Sequence, residues 1–303
     1  MISVIIPNFN GEKLLKKNLP KVLATNPDEI IVVDDASSDN SVAYIKKQIA
    51  KRKSTKLAKP NPKGTQKLKI IENKKNLGFV KSVNRGVQEA VGEIIVLLNN
   101  DVAPTKNFLK PILPYFKNQK IFAVSFCEPQ FSWAKAAFIN GFIVHGLGER
   151  QDKPYISFWA SGGSAAFSRE LWEKLGGMDP VYHPFYWEDI DLSYRAAKRG
   201  WEIWWEPAAV VYHVHGETIE KYFSKSFRDY ITARNQLLFI WKNITSKKLI
   251  WQHQKELAKR LLKGQFWRPF LGALLKLPDV FEKRKREGLE EKLKDEEIFA
   301  KFS

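Results

Sequence analysis

Short apolar runs alternate with helical patterns through the first third of the chain. Four runs rich in Val and Ile are apolar on both faces, as buried parallel strands are, at residues 3–6, 30–33, 68–71 and 94–98. Helical spacing separates them at residues 12–23, 41–50 and 80–91. This order predicts an α/β fold, in which an open, mostly parallel, Rossmann-like sheet carries helices on both faces.

Polar residues follow three of these predicted strands where the strands end. They are Pro7, Asn8, Phe9 and Asn10 after the first, Asp34 and Asp35 after the second, and Asn99, Asn100 and Asp101 after the fourth. Because ligands of open α/β sheets bind at the carboxyl ends of the strands, the pattern predicts a site there. Asp101 is placed to hold a hard divalent cation, although an Asx turn before Pro104 would also explain it. His213, at the end of a later predicted strand, is a candidate second ligand or a structural histidine.

An acidic cluster opens a predicted helix after the aromatic loop at residues 183–187. It consists of Glu188, Asp189 and Asp191. The helix dipole stabilises acidic side chains in a first turn, which is a purely structural explanation of the cluster. The aromatic loop would also partly desolvate these carboxylates, and both desolvation and neighbouring like charge raise a carboxylate pKa, as a general base requires. The cluster is therefore a candidate catalytic site.

The chain is strongly basic, with 50 Lys and Arg against 33 Asp and Glu in 303 residues and a net charge of +17. Such an excess indicates an anionic partner, which can be nucleic acid, anionic lipid or a phosphorylated substrate. The sequence has no helix-turn-helix, zinc or aromatic RNA-binding pattern, so we expect no nucleic-acid partner. Cys127 is the single cysteine, which suits the cytoplasm. No run is apolar over the roughly 18 residues that a spanning helix needs, and the N-terminus is typical of a strand, not a signal peptide.

Two segments concentrate the positive charge. Residues 46–75 hold twelve Lys or Arg and one acid, and they predict a solvated loop that either only solubilises the protein or binds an anion. Residues 242–303 hold sixteen Lys or Arg and nine Asp or Glu. Apolar residues recur there at helical spacing: Trp251, Leu257, Leu261, Leu262, Phe266, Trp267, Phe270, Leu271, Leu274 and Leu275. These helices are predicted either to lie on an anionic membrane or to pack on the rest of the chain or on a second subunit.

Seven segments, in order, resemble glycosyltransferase family 2. They are residues 4–11, 31–41, 76–86, 98–102, 162–167, 187–192 and 213–218. The resemblance covers roughly residues 1–240 and is greatest to the rhamnosyltransferase-like branch, which builds bacterial surface polysaccharides. It implies a GT-A fold, here followed by a C-terminal helical extension. It also implies inverting transfer, by single displacement, from a nucleotide sugar to a glycan or lipid-linked acceptor.

The resemblance assigns residues to the donor site. Pro7 and Phe9 would border the nucleotide pocket, and Asp34 would hydrogen-bond the pyrimidine of a UDP- or dTDP-linked sugar. Further contacts with the nucleotide sugar are expected from Asn10, Asp35, Gly78, Asn84, Asn99, Asn100, Gly162 and Gly163.

The resemblance also assigns the metal site and the chemistry. Asp101 would bind Mg²⁺ or Mn²⁺, with His213 as a further ligand. Asp189 would deprotonate the acceptor hydroxyl, and Glu188 or Asp191 would orient the substrates. The metal motif reads Asn-Asn-Asp where the family has Asp-x-Asp, which leaves one certain carboxylate ligand. The Gln-x-x-Arg-Trp motif of processive synthases is absent, so we expect transfer of one or a few sugars.

The expected organisation is a catalytic domain at residues 1–218 and a basic helical region at residues 219–303. The catalytic domain would divide into a nucleotide-binding half, residues 1–116, and an acceptor-binding half, residues 117–218. The protein would work as a peripheral enzyme at the inner face of the cell membrane. The alternatives are a glycosyltransferase-like binding protein that has lost activity, and a basic α/β protein that binds nucleic acid.

Overall fold

The computed structural model describes residues 1–54, 66–213 and 222–302. Its first half is a parallel sheet in the order β3-β2-β1-β4, as predicted. The strands are β1 (Ile2–Asn8), β2 (Glu29–Asp34), β3 (Lys67–Glu72) and β4 (Ile94–Leu98), and the helices between them are α1 (Glu12–Ala24), α2 (Ser41–Ser54) and α3 (Phe79–Gln88). Residues 55–65 of the basic loop lie outside the described residues.

Helices cover both faces of this parallel half because its strands are apolar on both faces. Successive side chains of a strand point to opposite sides of a sheet. On one face, Ile5 packs with Val83 and Val87 of α3. On the other face, Val4 packs with Leu15 and Leu19 of α1. The predicted two-sided α/β arrangement is confirmed.

Antiparallel pairing enters the sheet after β4. The next strands are β5 (Val102–Pro104), β6 (Ile121–Cys127), β7 (Ala134–Ile139), β8 (Phe142–Leu147), β9 (Tyr155–Ile156), β10 (Ser164–Ser168) and β11 (Glu202–His213). The main sheet continues from β4 in the order β10-β6-β11-β5, with β9 beside β11, while β7 and β8 form a separate hairpin. Since β10 runs antiparallel to β4 and pairs Ser164 with Leu98, the residues before β10 lie at the edge where β4 ends.

Seven further helices complete the described fold. They are α4 (Arg169–Leu175), α5 (Glu188–Lys198), α6 (Lys225–Asn243), α7 (Lys247–Leu262), α8 (Trp267–Leu274), α9 (Leu277–Glu290) and α10 (Asp295–Ala300). Phe239, Leu257 and Phe299 from the C-terminal helices share one buried cluster with Phe142 of β8 and Tyr194 of α5. The C-terminal region is therefore built into the fold. The boundary predicted at residues 218 and 219 lies outside the described residues.

A buried ionic network fixes α6 to α5. Asp191 is fully buried and accepts hydrogen bonds from Arg195 Nε (2.8 Å), Lys242 Nζ (2.9 Å) and the Tyr182 hydroxyl (2.7 Å). Lys242 Nζ also donates to Asp179 Oδ2 at 2.6 Å. Buried charges persist only when they are paired, so these contacts favour one arrangement of the two helices. Within the described ranges, no helix is both long and apolar enough to cross a bilayer.

Candidate active site

Three side chains meet where β4, β6 and β11 end. His213 Nε2 lies 3.0 Å from Asp101 Oδ1, and His213 Nδ1 lies 3.2 Å from Glu128 Oε1. The pairing of β5 with β11 brings the first two together, because His213 stands opposite Val102 in that register. Sequence analysis predicted Asp101 and His213 but missed Glu128. The sequence signal that could have identified Glu128 was an acidic residue directly after a buried strand.

These residues have the chemistry of a site for a hard divalent cation. Burial by itself would lower the pKa of His213, but Asp101 and Glu128 outweigh burial and raise that pKa to about 9. A cation would bind the neutral imidazole and would therefore have to displace this proton. A carboxylate on one ring nitrogen is the arrangement that orients an imidazole toward a metal. The Oδ1 atom of Asn99, two residues before Asp101, is buried and accepts no hydrogen bond from the described residues.

The protein would supply only part of such a coordination shell. In the part of the chain that the structure describes, no group of three or more His, Cys, Asp or Glu residues is arranged as a complete metal site. One carboxylate and one imidazole nevertheless suit Mg²⁺ or Mn²⁺ when phosphate oxygens and water complete the shell. The residues present therefore fit the predicted cation.

A second pair of carboxylates begins α5. The Oδ2 atom of Asp189 accepts from the Gly162 amide at 3.2 Å, and its Oδ1 accepts from the Ile190 amide at 2.8 Å. Burial raises the pKa of Asp189, although these amide hydrogen bonds partly oppose the rise. Burial and the nearby charge of Asp189 also raise the pKa of Glu188. Two interacting carboxylates with raised pKa values are suited to accept a proton.

Two consecutive glycines lie between Asp189 and Asn99. A Cβ atom on Gly162 would lie 3.4 Å from the Cβ of Asp189. A Cβ atom on Gly163 would overlap the side-chain amide of Asn99, whose backbone amide donates to the Gly163 carbonyl at 2.9 Å. Asp189 and Asn99 therefore stand on the two sides of one short loop, and only glycine permits the close approach at Gly163.

The aromatic loop before α5 has an unusual backbone. Tyr186 and Trp187 are both left-handed, with φ of 69° and 78°, which costs energy for bulky side chains. Asn235 of α6, which is fully buried, donates from Nδ2 to the carbonyls of Tyr182 (2.8 Å), Phe185 (3.0 Å) and Tyr186 (2.9 Å). Asn235 thus holds the loop that leads into Glu188 and Asp189, a role that the sequence pattern did not indicate.

Asp34 and Asp35 are buried at the end of β2. Asp34 accepts hydrogen bonds from Asn8 Nδ2 (2.9 Å), the Ser37 amide (2.9 Å) and the Ser37 hydroxyl (2.7 Å). Asp35 accepts from the Gly78 amide at 2.8 Å, where Gly78 has a left-handed φ of 83°. Both carboxylates therefore organise loops at the sheet edge, and recognition of a nucleotide base by Asp34 stays a prediction.

The remaining predicted donor-site residues lie beside these loops. Pro7 pairs with Val33 within the sheet, and the ring of Phe9 lies 6.1 Å from that of Tyr222. The side-chain oxygen of Asn10 accepts from the Ser38 amide at 2.8 Å. Asn100 Nδ2 donates to Asn8 Oδ1 at 2.8 Å, which links the ends of β4 and β1. The structure thus brings residues from the ends of β1, β2 and β4 to one edge.

One predicted assignment needs correction. Asp191 does not face a substrate, because its carboxylate is fully buried and occupied by Arg195 and Lys242. The side chain of Asn84 donates to the Met178 carbonyl at 2.8 Å and accepts from the Met178 amide at 3.0 Å. Asn84 is only half-buried, and its contact with the nucleotide sugar stays a prediction.

A cavity of about 640 Å³ opens beside Asp189. Its lining comes from α5, from α6, from β8 and from the two loops before β10 and α5. The residues are His145, Trp159, Tyr186, Trp187, Glu188, Asp189, Ile190, Lys225, Arg228, Asp229 and Thr232. Sequence analysis singled out only the two carboxylates of this set as site residues.

Comparison of the sequence with known families gives a match to the model of "Glycosyl transferase family 2" over residues 3–176. The chain is 26% identical over 242 residues to N-acetylgalactosaminyltransferase 7 of Drosophila melanogaster, covering 70% of this chain and 39% of the relative. It is 23% identical over 295 residues to human polypeptide N-acetylgalactosaminyltransferase 6, covering 87% of this chain and 45% of the relative. The chain thus spans less than half the length of these relatives.

Solved structures share the fold. GalNAc-T7 with UDP, GalNAc and Mn²⁺ superposes with a TM-score of 0.64 and 20% identity, covering 82% of this chain and 49% of that one. The mannosyltransferase PcManGT of Pyrobaculum calidifontis, in complex with GDP-Man and Mn²⁺, superposes with a TM-score of 0.57 and 17% identity. The match covers 94% of this chain and 84% of that one. Residues 1–349 of S. aureus TarS with UDP superpose with a TM-score of 0.54 and 16% identity, covering 84% of this chain and 70% of that one.

Proposed function

The chain belongs to glycosyl transferase family 2 and has the GT-A fold, and from this premise we propose that it transfers a sugar from a nucleotide-sugar donor to a glycan or lipid-linked acceptor. One observation carries the proposal. Asp189, a carboxylate with a raised pKa, lies on one side of the Gly162–Gly163 loop, and Asn99 lies on the other side, two residues before Asp101, which pairs with His213. Donor and acceptor chemistry can therefore meet at that loop.

The transfer is an inverting single displacement. The acceptor hydroxyl gives its proton to Asp189 while its oxygen uses a lone pair to bond the anomeric carbon of the donor sugar. The bond from that carbon to the diphosphate oxygen breaks, and its electron pair leaves with the nucleoside diphosphate. Attack and departure occur on opposite faces of the sugar, so no covalent enzyme intermediate forms. Burial makes Asp189 a stronger base than an exposed carboxylate, which favours the proton transfer.

Asp101 and His213 are the residues that would hold Mg²⁺ or Mn²⁺, and Glu128 would orient the imidazole. A bound cation supplies positive charge beside the diphosphate. Mn²⁺ in the structures of GalNAc-T7 and PcManGT supports this choice. UDP and GDP-Man in the same group of structures support a nucleoside diphosphate sugar as donor, and we retain a UDP- or dTDP-linked sugar.

We place the enzyme at the inner face of the cell membrane, in the synthesis of surface polysaccharide. Five apolar side chains of α7, α8 and the residues at their ends are exposed, several at four-residue spacing. They are Trp251, Leu262, Trp267, Leu271 and Leu275, with exposed fractions of 58, 88, 47, 53 and 86%. Exposed Lys255, Lys259, Lys263 and Arg268 lie among them. Apolar and basic side chains mixed in this way suit an anionic membrane surface.

Donor binding and donor hydrolysis test the proposed function. UDP-, dTDP- and GDP-sugars are screened by thermal shift with and without Mn²⁺, and release of the nucleoside diphosphate is then measured. At least one donor should raise the melting temperature in a Mn²⁺-dependent way. Asp101→Ala should lose the Mn²⁺ dependence, whereas Asp189→Asn should keep donor binding and lose about 10²–10⁴-fold in transfer.

Asp279→Asn is the matched control, since this exposed aspartate undergoes the same chemical change and should behave as the parent protein. Near-normal turnover of Asp189→Asn would remove its assignment as the base. Donor binding without any hydrolysis or transfer would favour a binding protein that has lost activity. Binding of random DNA with no donor binding would favour the nucleic-acid alternative.

A further inference from the structure

The cavity beside Asp189 has one aromatic wall. The ring of His145 lies 5.3 Å from that of Trp159 and 5.4 Å from that of Trp187, at interplanar angles of 80° and 86°. Trp159 and Tyr186 are half-buried and line the open space, whereas Trp187 is buried beneath. Edge-to-face packing holds such rings in fixed orientations, so the wall is a preformed apolar surface.

A second part of the cavity lining is polar and comes from one face of α6. Lys225, Arg228, Asp229 and Thr232 follow the i, i+3, i+4, i+7 spacing that places side chains on one side of a helix, and all four line the cavity. The Thr232 hydroxyl donates to the Arg228 carbonyl at 2.9 Å, which leaves its oxygen able to accept a hydrogen bond. This wall therefore offers charged donors, a carboxylate and a hydroxyl oxygen.

A saccharide matches both walls at once. A pyranose ring has faces of C–H groups, which pack on the electron-rich face of an aromatic ring, and a rim of hydroxyls that need hydrogen-bond partners. The volume of about 640 Å³ lies within the range of roughly 300–1,000 Å³ that is usual for small-molecule sites.

We propose that this cavity binds the acceptor as a saccharide. A pyranose ring lies against Trp159 and Tyr186, its hydroxyls bind the polar face of α6, and one hydroxyl reaches Asp189. That hydroxyl loses its proton to Asp189 as its oxygen bonds the anomeric carbon of the donor, and the diphosphate leaves with the electron pair of the broken bond. This inference rests on the proposed function and names its acceptor class.

Binding of simple glycosides tests the inference without knowledge of the natural acceptor. The probes are methyl α- and β-pyranosides of glucose, galactose, mannose, rhamnose and the N-acetylhexosamines, measured by saturation-transfer NMR on the full chain. At least one should show transfer to its ring C–H protons. Trp159→Ala should weaken that binding about tenfold, equal to about 1.4 kcal/mol. Thr232→Val, which keeps its shape within a helix, should weaken it severalfold.

Trp251→Ala is the matched control, because Trp251 is an exposed tryptophan of α7 outside the cavity lining, and it should bind as the parent does. Donor hydrolysis, run on the same proteins, should be unchanged in Trp251→Ala. The inference would be overturned if no glycoside binds, or if Ser/Thr peptides bind instead. It would also be overturned if Trp159→Ala and Thr232→Val both bind glycosides as tightly as the parent protein does. If glycosides bind but no nucleotide sugar does, the proposed function fails and the saccharide site stands.

Discussion

Three carboxylates at the start of α5 are close in sequence and have opposite electrostatic environments. Burial raises the pKa of Glu188 and Asp189, and at Asp189 the backbone amide hydrogen bonds and the charge of His145 oppose the rise only in part. Burial would also raise the pKa of Asp191, but the charges of Lys242 and Arg195 outweigh burial and lower it. Proton acceptance therefore belongs to the first two residues, and anchoring to the third.

The pH dependence of transfer should follow the Glu188–Asp189 pair. The base must be ionised, so the rate falls as pH falls through the pKa of the pair, and that loss should occur above the range of an ordinary aspartate near about 3.9. The charge of Asp189 helps to raise the pKa of Glu188, so Asp189 ionises first while Glu188 is still protonated, and Glu188→Gln should leave the acid limb of the rate profile in place. The profile of kcat against pH measures the position of that limb. An acid limb that moves to lower pH in Glu188→Gln would show that the charge of Glu188 raises the pKa of the base.

A separate prediction concerns Glu128 and its effect on metal binding. Its contact with His213 Nδ1 orients the imidazole, and loss of such a carboxylate usually weakens a metal site about 10–100-fold. Glu128→Gln should therefore weaken Mn²⁺ binding in the presence of UDP, as titration calorimetry would measure. Glu149→Gln, at an exposed position, is the control and should leave the affinity unchanged. Equal affinities of the two variants would contradict the role of Glu128.

At the scale of secondary structure, α6 connects the separate parts of the site. Its first two turns line the cavity through Lys225 and Thr232. Its middle holds the aromatic loop through Asn235, and its end ties to α5 through Lys242. One helix thus positions the acceptor wall, the strained loop and the segment that carries the base.

Asn235→Leu should separate support of the loop from simple burial. The change leaves the carbonyls of Tyr182, Phe185 and Tyr186 without their common donor in a buried place, which should cost about 1–3 kcal/mol in the free energy of unfolding. It should also lower kcat, because Asp189 follows the released loop. Urea denaturation and steady-state kinetics measure the two effects. Gln254→Leu, exposed on α7, is the control, and a variant at Asn235 with parental stability would contradict the role.

At the scale of the whole molecule, the C-terminal helices face both inward and outward. Leu257 and Ala273 are buried against the catalytic part, while Leu262 and Leu275 extend into solvent. Packing on the rest of the chain therefore uses different residues of these helices from those that the proposed contact with a membrane would use. Removal of these helices would expose the buried cluster, so truncation cannot test membrane attachment cleanly.

Point substitutions on the exposed face test it instead. The full chain should float with vesicles that contain phosphatidylglycerol and should be released at high salt, since basic side chains contribute about 1 kcal/mol each near an anionic surface. Leu262→Asp, Leu271→Asp and Leu275→Asp together should abolish flotation. Val91→Asp with Leu113→Asp, exposed positions outside the C-terminal helices, is the control. Flotation of both variants alike, or of none of the proteins, would refute membrane attachment.

The local sequence was sufficient to predict features that repeat every few residues or that lie at a fixed position on a strand. Alternating runs predicted β1 to β4 and the helices between them, because apolar strands buried on both faces have few other solutions. Asp101 and His213 could be proposed as site residues because each ends a predicted strand. Asp189 could be proposed because an acidic first turn after an aromatic loop is a local pattern.

Only the tertiary structure decided which distant residues meet. Glu128 reaches His213, and Asn235 reaches Tyr186, across long stretches of chain that no local pattern connects. Asp189 and Asp191 have nearly the same neighbours in sequence, yet on a helix they point about 200° apart. Which of the two faces the cavity and which faces Lys242 depends on how α5 packs against α6. That packing sets burial and neighbouring charge, and these determine whether a carboxylate accepts a proton or anchors a helix.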